Sequence, residues 1–509
     1  MTTNENETEN KLCGGYVEAS GGFGCLFNPA IKCRNTTNKD EYKRGYVTKL
    51  MTKKNALDEY NQILKFRAIL DNIPNFQKYF LVDNFTICDP DELTNKDLEN
   101  FEEECDTLKN RDISAKNINQ NLDKLLALNM PYGGIDVDNY LNIHVTNNVS
   151  LKQVYTQLNI SLINLLIHGI VPMNKMELYH CDVKGSNVLV KNDSVKNDSV
   201  YEKMKLQSRL IDWGLSVYEG DKDKNSEYIP RNLSKRSFHY NVPFSVILFN
   251  KKFIEKYTIF IKMNRKNGSD INYFTIREFV INYIFIWNKI RGYGHLKTIN
   301  SIVKKLTYNE LPAINNYKIK KHLIEYDFTY YYIIEYISKI LFKYTRNGEL
   351  HLLDYFHNVF LKTIDIWGFV MIYIDLYDKF FDVYSYDNLN EYQTKFANKI
   401  KYIIIHFLFE NPTEVINVNQ LVDELKELNF IITNNHFDDK SQIASLKNEY
   451  LSSLTIIQND DIKEIGGSIK NKLNDITTNK KYMKTRNVTR LKNMKTRIKN
   501  KTKKHRTNK

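Results

Sequence analysis

The chain has 509 residues, 42% of them apolar and including 34 Tyr and 27 Phe, which supports a sizeable core and excludes wholesale disorder. Its net charge of +13 is uneven: residues 480–509 carry 14 Lys or Arg and no acid, leaving residues 1–479 at −1. The body is near neutral, so any reading of basic charge belongs to the tail alone.

Residues 1–12 are polar and acidic, which predicts a disordered lead and not a signal peptide. From Tyr16 to about Tyr132 the pattern is short β-like runs with one helix. In Ser20-Gly21-Gly22-Phe23-Gly24-Cys25-Leu26 the glycines let backbone N–H groups approach phosphate oxygens, although a Gly-rich turn between strands is the plainer reading of this stretch alone. Gly45–Met51 reads as a strand carrying Lys49, whose amine suits the α- and β-phosphates of a nucleotide. Asn55 opens a helical pattern with Leu57, Tyr60, Ile63, Leu64 and Ala68 on one face. On it Glu59 is the carboxylate placed to hold Lys49, with Asp58, Lys53 and Lys54 close by. All six cysteines (Cys13, Cys25, Cys33, Cys88, Cys105 and Cys181) lie in the first 181 residues without a C-x-x-C pair. Reduced thiols in a soluble intracellular chain fit this better than a disulfide framework.

Beyond Tyr132 the pattern turns helical, at 150–169 and then about 251–290, 320–345, 350–382, 390–410 and 440–457. Within this half His180-Cys-Asp-Val-Lys-Gly-Ser-Asn187 leads into an apolar strand, Val188–Val190. The spacing H-x-D-x-K-x-x-N sets a carboxylate, an amine and an amide where they can hold a hydroxyl nucleophile beside a metal-bound triphosphate. Asp182 would take the hydroxyl's hydrogen bond and its proton. Lys184 would neutralise charge on the γ-phosphoryl group. Leu210-Ile-Asp-Trp-Gly-Leu215 supplies a second carboxylate on a turn, so that Asn187 and Asp212 would ligate Mg²⁺, or Mn²⁺, through oxygen. Lys-Asn-Asp-Ser-Val occurs twice over 191–200 and reads as an exposed hairpin tip. The apolar stretch Val359–Leu376 contains Lys362, Asp365 and Asp375, so it predicts a buried helix and no transmembrane span.

These elements resemble eukaryotic-type protein kinases, in a style similar to the serine/threonine kinases of giant (nucleocytoplasmic large DNA) viruses. The resemblance covers about 16–250 and resumes near 360–380. It implies an α+β bilobal fold, with a disordered lead at 1–12, a small β-rich lobe at 13–132 and a large helical lobe at 133–460. A helical insertion would occupy about 251–355 and a basic disordered tail 461–509. It also implies ATP under Gly21, Gly22, Phe23 and Gly24, with Lys49 and Glu59 beside it and a hinge at Met130–Gly134 in which Met130 and Tyr132 face the adenine. Asp365, in Thr363-Ile-Asp-Ile-Trp-Gly-Phe369, would anchor the catalytic loop from below, and Asn241–Ser245 lies where substrates dock. By the same resemblance the location would be host cytoplasm, nucleus or virion.

Four departures stand out. Ala19 replaces the first loop glycine, Cys181 stands where many kinases have the Arg that reads loop phosphate, Trp213 replaces Phe, and no A-P-E follows. Three functions compete: a serine/threonine-type protein kinase with unidentified protein substrates, a small-molecule kinase of the aminoglycoside or choline type, and a non-catalytic pseudokinase scaffold. Lys184 and Gly214 favour the first. The tail binds nucleic acid or another polyanion, carries a targeting or packaging signal, or is simply solvated. With Tyr482 its one aromatic residue, base stacking is not indicated.

Overall fold

Tyr46–Thr52 (β3) lies at the centre of a five-stranded antiparallel sheet with Tyr16–Ser20 (β1), Gly24–Asn28 (β2), Thr86–Cys88 (β4) and Leu125–Pro131 (β5), in the order β1-β2-β3-β5-β4. The computed structural model describes residues 15–34, 45–146, 150–193, 205–220, 229–266, 271–291, 295–307 and 328–439. The chain divides into two units, Met1–Asp439 and Lys440–Lys509. The second lies outside the described residues, and with it the helix expected at 440–457 and the basic tail.

β3 runs without a turn into the helix Lys53–Leu70 (α1), which starts two residues earlier than expected. Its buried stripe is Ala56, Ile63, Phe66 and Leu70. Of the face read from the sequence only Ile63 is buried, while Leu57 and Leu64 are 46% and 45% exposed. The correction has a physical cause: the stripe through Phe66 buries the bulkiest apolar side chain of the helix. The opposite face of the sheet is also covered. Phe101–Glu104 (α2), Asp106–Lys109 (α3) and the chain on to Leu122 place Phe101, Leu108, Ile118 and Leu122 against Val17, Cys25, Phe27, Leu50 and Ala127. One disulfide, Cys25–Cys105, staples this cover to the sheet, and a second, Cys33–Cys88, ties the chain after β2 to β4. The expectation of unpaired thiols is therefore corrected for these four residues. The partners stand 80 and 55 residues apart, and only the folded sheet brings them together.

The larger lobe is helical. Ile135–Asp136 (β6), Val188–Asp193 (β8) and Lys205–Leu210 (β9) form a small sheet of order β6-β8-β9, and Leu178–Tyr179 (β7) pairs with Val217–Tyr218. β8 stays paired with β9 from Val188↔Leu210 to Asp193↔Lys205. The first Lys-Asn-Asp of the duplication is thus strand, not hairpin tip, and residues 194–204 lie outside the described residues. In the helix Leu361–Met371 every residue but Lys362 is buried. Among the described residues one helical run, Leu151–Lys175, is long and apolar enough to cross a membrane by length and composition. Here it packs as a core helix, burying Tyr155, Leu158, Leu162 and Leu165, with Asn159 donating to Leu425 O at 3.0 Å.

The inserted helices Lys251–Lys266, Tyr273–Arg291, Leu296–Thr307 and Phe328–Tyr344 share this core. Tyr336 from the last of them meets Trp367 edge-on at 5.6 Å. The helix Val418–Ile432, which the periodicity reading passed over, is capped by Asn417 accepting from Gln420 N–H.

Candidate active site

The loop His180–Asn187, the candidate catalytic loop, is fixed first by its backbone. Buried Asp365 accepts from the N–H groups of His180 (2.8 Å) and Cys181 (2.7 Å). Burial pushes its carboxyl up to about 7, against those two donors and Arg236. One helical turn on, Gly368 lets the loop sit flush on the helix: a Cβ there would lie 2.3 Å from Val183 O. His180 Nε2 donates to Ile211 O at 2.9 Å and its Nδ1 accepts from Asp182 N–H at 3.3 Å. Burial lowers the His180 pKa, which suits this neutral tautomer. Trp213 packs against His180, Phe66 and Phe80 with ring centroids 5.0, 5.7 and 5.7 Å apart. The bulkier indole thus links α1 to the catalytic loop and leaves Asp212 outside the packed ring.

Asp182 is held by four donors. Oδ1 accepts from Arg236 Nη2 (2.5 Å) and Asn241 Nδ2 (3.0 Å), and Oδ2 from Lys184 Nζ (3.0 Å) and Asn187 Nδ2 (3.0 Å). Burial alone would raise this carboxyl's pKa. Arg236 and Lys184, with the bonds from Asn241 and Lys184, instead hold it well below the usual carboxylate range. Arg236 also donates to Cys181 O, and Asn241 to Val183 O at 3.0 Å. An arginine and an amide from the segment before Pro243 therefore pin the loop where Cys181 itself cannot. Nothing local in the sequence marks Arg236, 54 residues from Asp182. Asn241 had been placed only as part of a docking segment.

In the β-rich lobe Lys49 Nζ bonds both carboxylate oxygens of Glu59, at 2.7 and 2.8 Å. Strand register sets Lys49 between Leu26 of β2 and Leu128 of β5. Gly21 N–H donates to Gly24 O at 2.8 Å, which closes the glycine loop on itself. A Cβ on Gly21 would lie 3.8 Å from Lys49 Cε, and one on Gly214 would lie 3.6 Å from the Phe23 ring and 3.5 Å from Asp212 Oδ1. The loop thus lies over Lys49 and the Asp212 turn, with Gly22 facing open space. Met130 pairs with Val47 at the end of β5, and Tyr132 N–H donates to Gly45 O at 2.6 Å.

Asp212 is exposed on a left-handed turn (φ 66°), tied through Ile211 N–H to Asn187 O at 3.0 Å. Asn187 Nδ2 is spent on Asp182 O and Oδ2 at 2.8 and 3.0 Å, which leaves its Oδ1 as an acceptor. The donors available to a metal here would therefore be one carboxylate and one amide oxygen. That set fits a hard divalent cation whose remaining ligands are phosphates and water. Among the described residues no group of three or more His, Cys, Asp or Glu side chains is placed to hold a metal ion by itself.

A five-stranded lobe with its lysine–glutamate pair, a helical lobe with the Asp182 loop, and the Asp212 turn between them make this a protein-kinase-like fold. No protein-family model and no curated protein matches the chain. Among solved structures the chain is similar to the crystal structure of the pseudokinase PEAK1 (Sugen Kinase 269), with 10% sequence identity over 82% of this chain and 88% of that one, at a TM-score of 0.26. A likeness at that score carries no argument about activity.

Proposed function

We propose that this chain is a Mg-ATP-dependent protein kinase that phosphorylates Ser or Thr hydroxyls. The observation that carries the reading is the bidentate Lys49–Glu59 pair, formed in the same molecule that draws Asp182, Lys184, Asn187 and the Asp212 turn together. Idle residues have no reason to take up both halves of a phosphoryl-transfer site. Lys49 would hold the α- and β-phosphates, and Asp212 with Asn187 Oδ1 would hold Mg²⁺, which when bound neutralises phosphate charge. Arg236 and Asn241 fix Oδ1 of Asp182. Oδ2 shares Lys184 with the γ-phosphoryl group, so when Lys184 turns to the nucleotide an acceptor position on Oδ2 opens for the substrate hydroxyl. This arrangement favours nucleotide binding ahead of the acceptor. With its pKa held low, Asp182 acts mainly by orienting the hydroxyl and takes the proton late. The lysine two residues after the base supports a Ser/Thr acceptor over tyrosine.

A second reading, the non-catalytic scaffold, is favoured by the four donors already on Asp182 and by the hinge. There Pro131 has no N–H and Tyr132 N–H is given to Gly45. Transfer of labelled γ-phosphate from Mg-ATP to generic protein substrates separates the two. Label on Ser or Thr that disappears with Asp182→Asn and Asp212→Ala is the expected result. Bound nucleotide without any label would overturn the protein-kinase reading in favour of the scaffold or a small-molecule acceptor.

A further inference from the structure

The glycine loop is tied down from outside the nucleotide site. Its first arm ends at Ser20 and its second begins at Gly24, and both arms are held by one short segment, Cys105–Thr107. Cys25 is joined to Cys105 by a disulfide. Thr107 N–H donates to Ser20 Oγ at 3.1 Å, the Thr107 and Ser20 hydroxyls share a bond of 3.0 Å, and Thr107 Oγ1 donates to Gly21 O. A little upstream, Val17 N–H donates to Glu99 O at 3.2 Å. The segment cannot drift away alone, because Phe101 and Leu108 on either side of it are fully buried against the sheet.

We infer that the Cys105–Thr107 segment is a brace that holds the glycine loop in its closed shape, and that opening the Cys25–Cys105 disulfide with a dithiol loosens the loop and weakens nucleotide binding. The second half rests on the proposed kinase function, and the first does not. Three glycines among residues 21–24 give this loop a large conformational freedom that nucleotide binding must remove. A brace removes it in advance, and preorganisation of that kind appears directly as affinity. The exchange balances: the dithiol gives two electrons and two protons to Cys25 and Cys105 and becomes its own cyclic disulfide. Cys25 and Cys105 are both fully buried, so reduction requires the brace to lift, and Cys105→Ser reaches the same state without reductant. Cys33–Cys88, which ties the chain after β2 to β4 and does not touch the Cys105–Thr107 segment, serves as the control.

The test measures hydrogen exchange of a peptide spanning 18–27 in the full chain, oxidised and after dithiothreitol, together with the Kd of a fluorescent Mg-ATP analogue. The expected result is faster loop exchange and a Kd raised about tenfold on reduction. Cys105→Ser gives the same result without dithiol, and Thr107→Val moves both readouts in the same direction with the disulfide intact. The Cys33→Ser/Cys88→Ser variant keeps the wild-type response to dithiol. Unchanged exchange on reduction overturns the brace. Faster exchange with an unchanged Kd overturns its link to nucleotide affinity. A difference in exchange in a chain that binds no nucleotide in either state supports the brace and overturns the kinase reading instead.

Discussion

Arg236 decides how Asp182 presents itself. Its guanidinium spans two acceptors, Cys181 O and Asp182 Oδ1, with its own side chain only 7% exposed, a use that depends on a planar fork of donors. A lysine offers one compact charge and cannot hold both. Arg236→Lys is therefore expected to lower kcat about tenfold by letting the carboxylate rotate, leaving nucleotide Kd unchanged. Steady-state kinetics beside a nucleotide titration checks this, and an unchanged kcat would remove Arg236 from the positioning role. Arg236→Ala is a different experiment, since stripping a buried carboxylate of its cation costs about 3–5 kcal/mol of stability. At this scale the sequence divides cleanly. Asp182, Lys184 and Asn187 were legible because their chemistry sits within one loop. Arg236 was not, because only tertiary packing carries it across 54 residues, and Lys and Arg are too frequent in this chain for one of them to stand out.

Elements set the next level of constraint, and the helix Leu361–Met371 shows how tightly. Gly368 sits against the backbone of Val183, where an added Cβ would be 2.3 Å from the carbonyl oxygen and 3.0 Å from its carbon. Backbone cannot swing aside as a side-chain tip can, so Gly368→Ala must push the loop or bend the helix. The helix alone would gain about 1 kcal/mol from the exchange. The expected outcome is a melting temperature within a few degrees of wild type and kcat lower by about a hundredfold, the cost of a displacement on the order of 1 Å at the reacting groups. A large loss of stability with normal kcat in the folded fraction would mean that the helix yields and the loop does not. The residues around this glycine were readable as a buried helix, because an apolar run with few charges has one stable destination. The stripe on α1 was misread because two overlapping apolar stripes share Ile63, and the choice between them is made by what the sheet offers Phe66. The cover over 89–124 was not legible at all. Its short helices of four residues leave no periodic signal, and the disulfide that ties it to the sheet joins cysteines whose pairing the spacing does not encode.

Across the whole molecule, two carboxylates beneath the site, buried Asp365 and half-buried Asp375, are expected to tie folding to pH. Asp375 lies under the catalytic loop, its Oδ2 only 2.2 Å from where a Cβ on Gly185 would stand. Burial, with Asp138, Asp378 and Asp136 nearby and Lys379 opposing, pushes its pKa from 3.8 up to about 8. Asp365 moves the same way, to about 7. A carboxyl raised in the folded state keeps its proton there while the unfolded chain has already lost it, so between about pH 4 and 8 stability falls as pH rises and then levels off. Each such group contributes a slope of at most about 1.4 kcal/mol per pH unit. Asp182 acts in the opposite sense. Its pKa is lowered on folding, so its contribution is present above the ordinary value of 3.8 and lost as pH falls below it. The contribution of these three carboxyls together is therefore expected to be greatest on the acid side of neutrality. Asp375→Asn keeps the shape and removes the titration. Urea unfolding at pH 5 and pH 8.5 is expected to show a stabilisation that is several times larger at pH 8.5, because only there does the wild type carry the full cost of a carboxyl that resists ionising. An equal shift of the midpoint at both pH values would mean that Asp375 meets water or a cation in the folded protein. The slope would then rest on Asp365 alone, ending near pH 7 in place of 8.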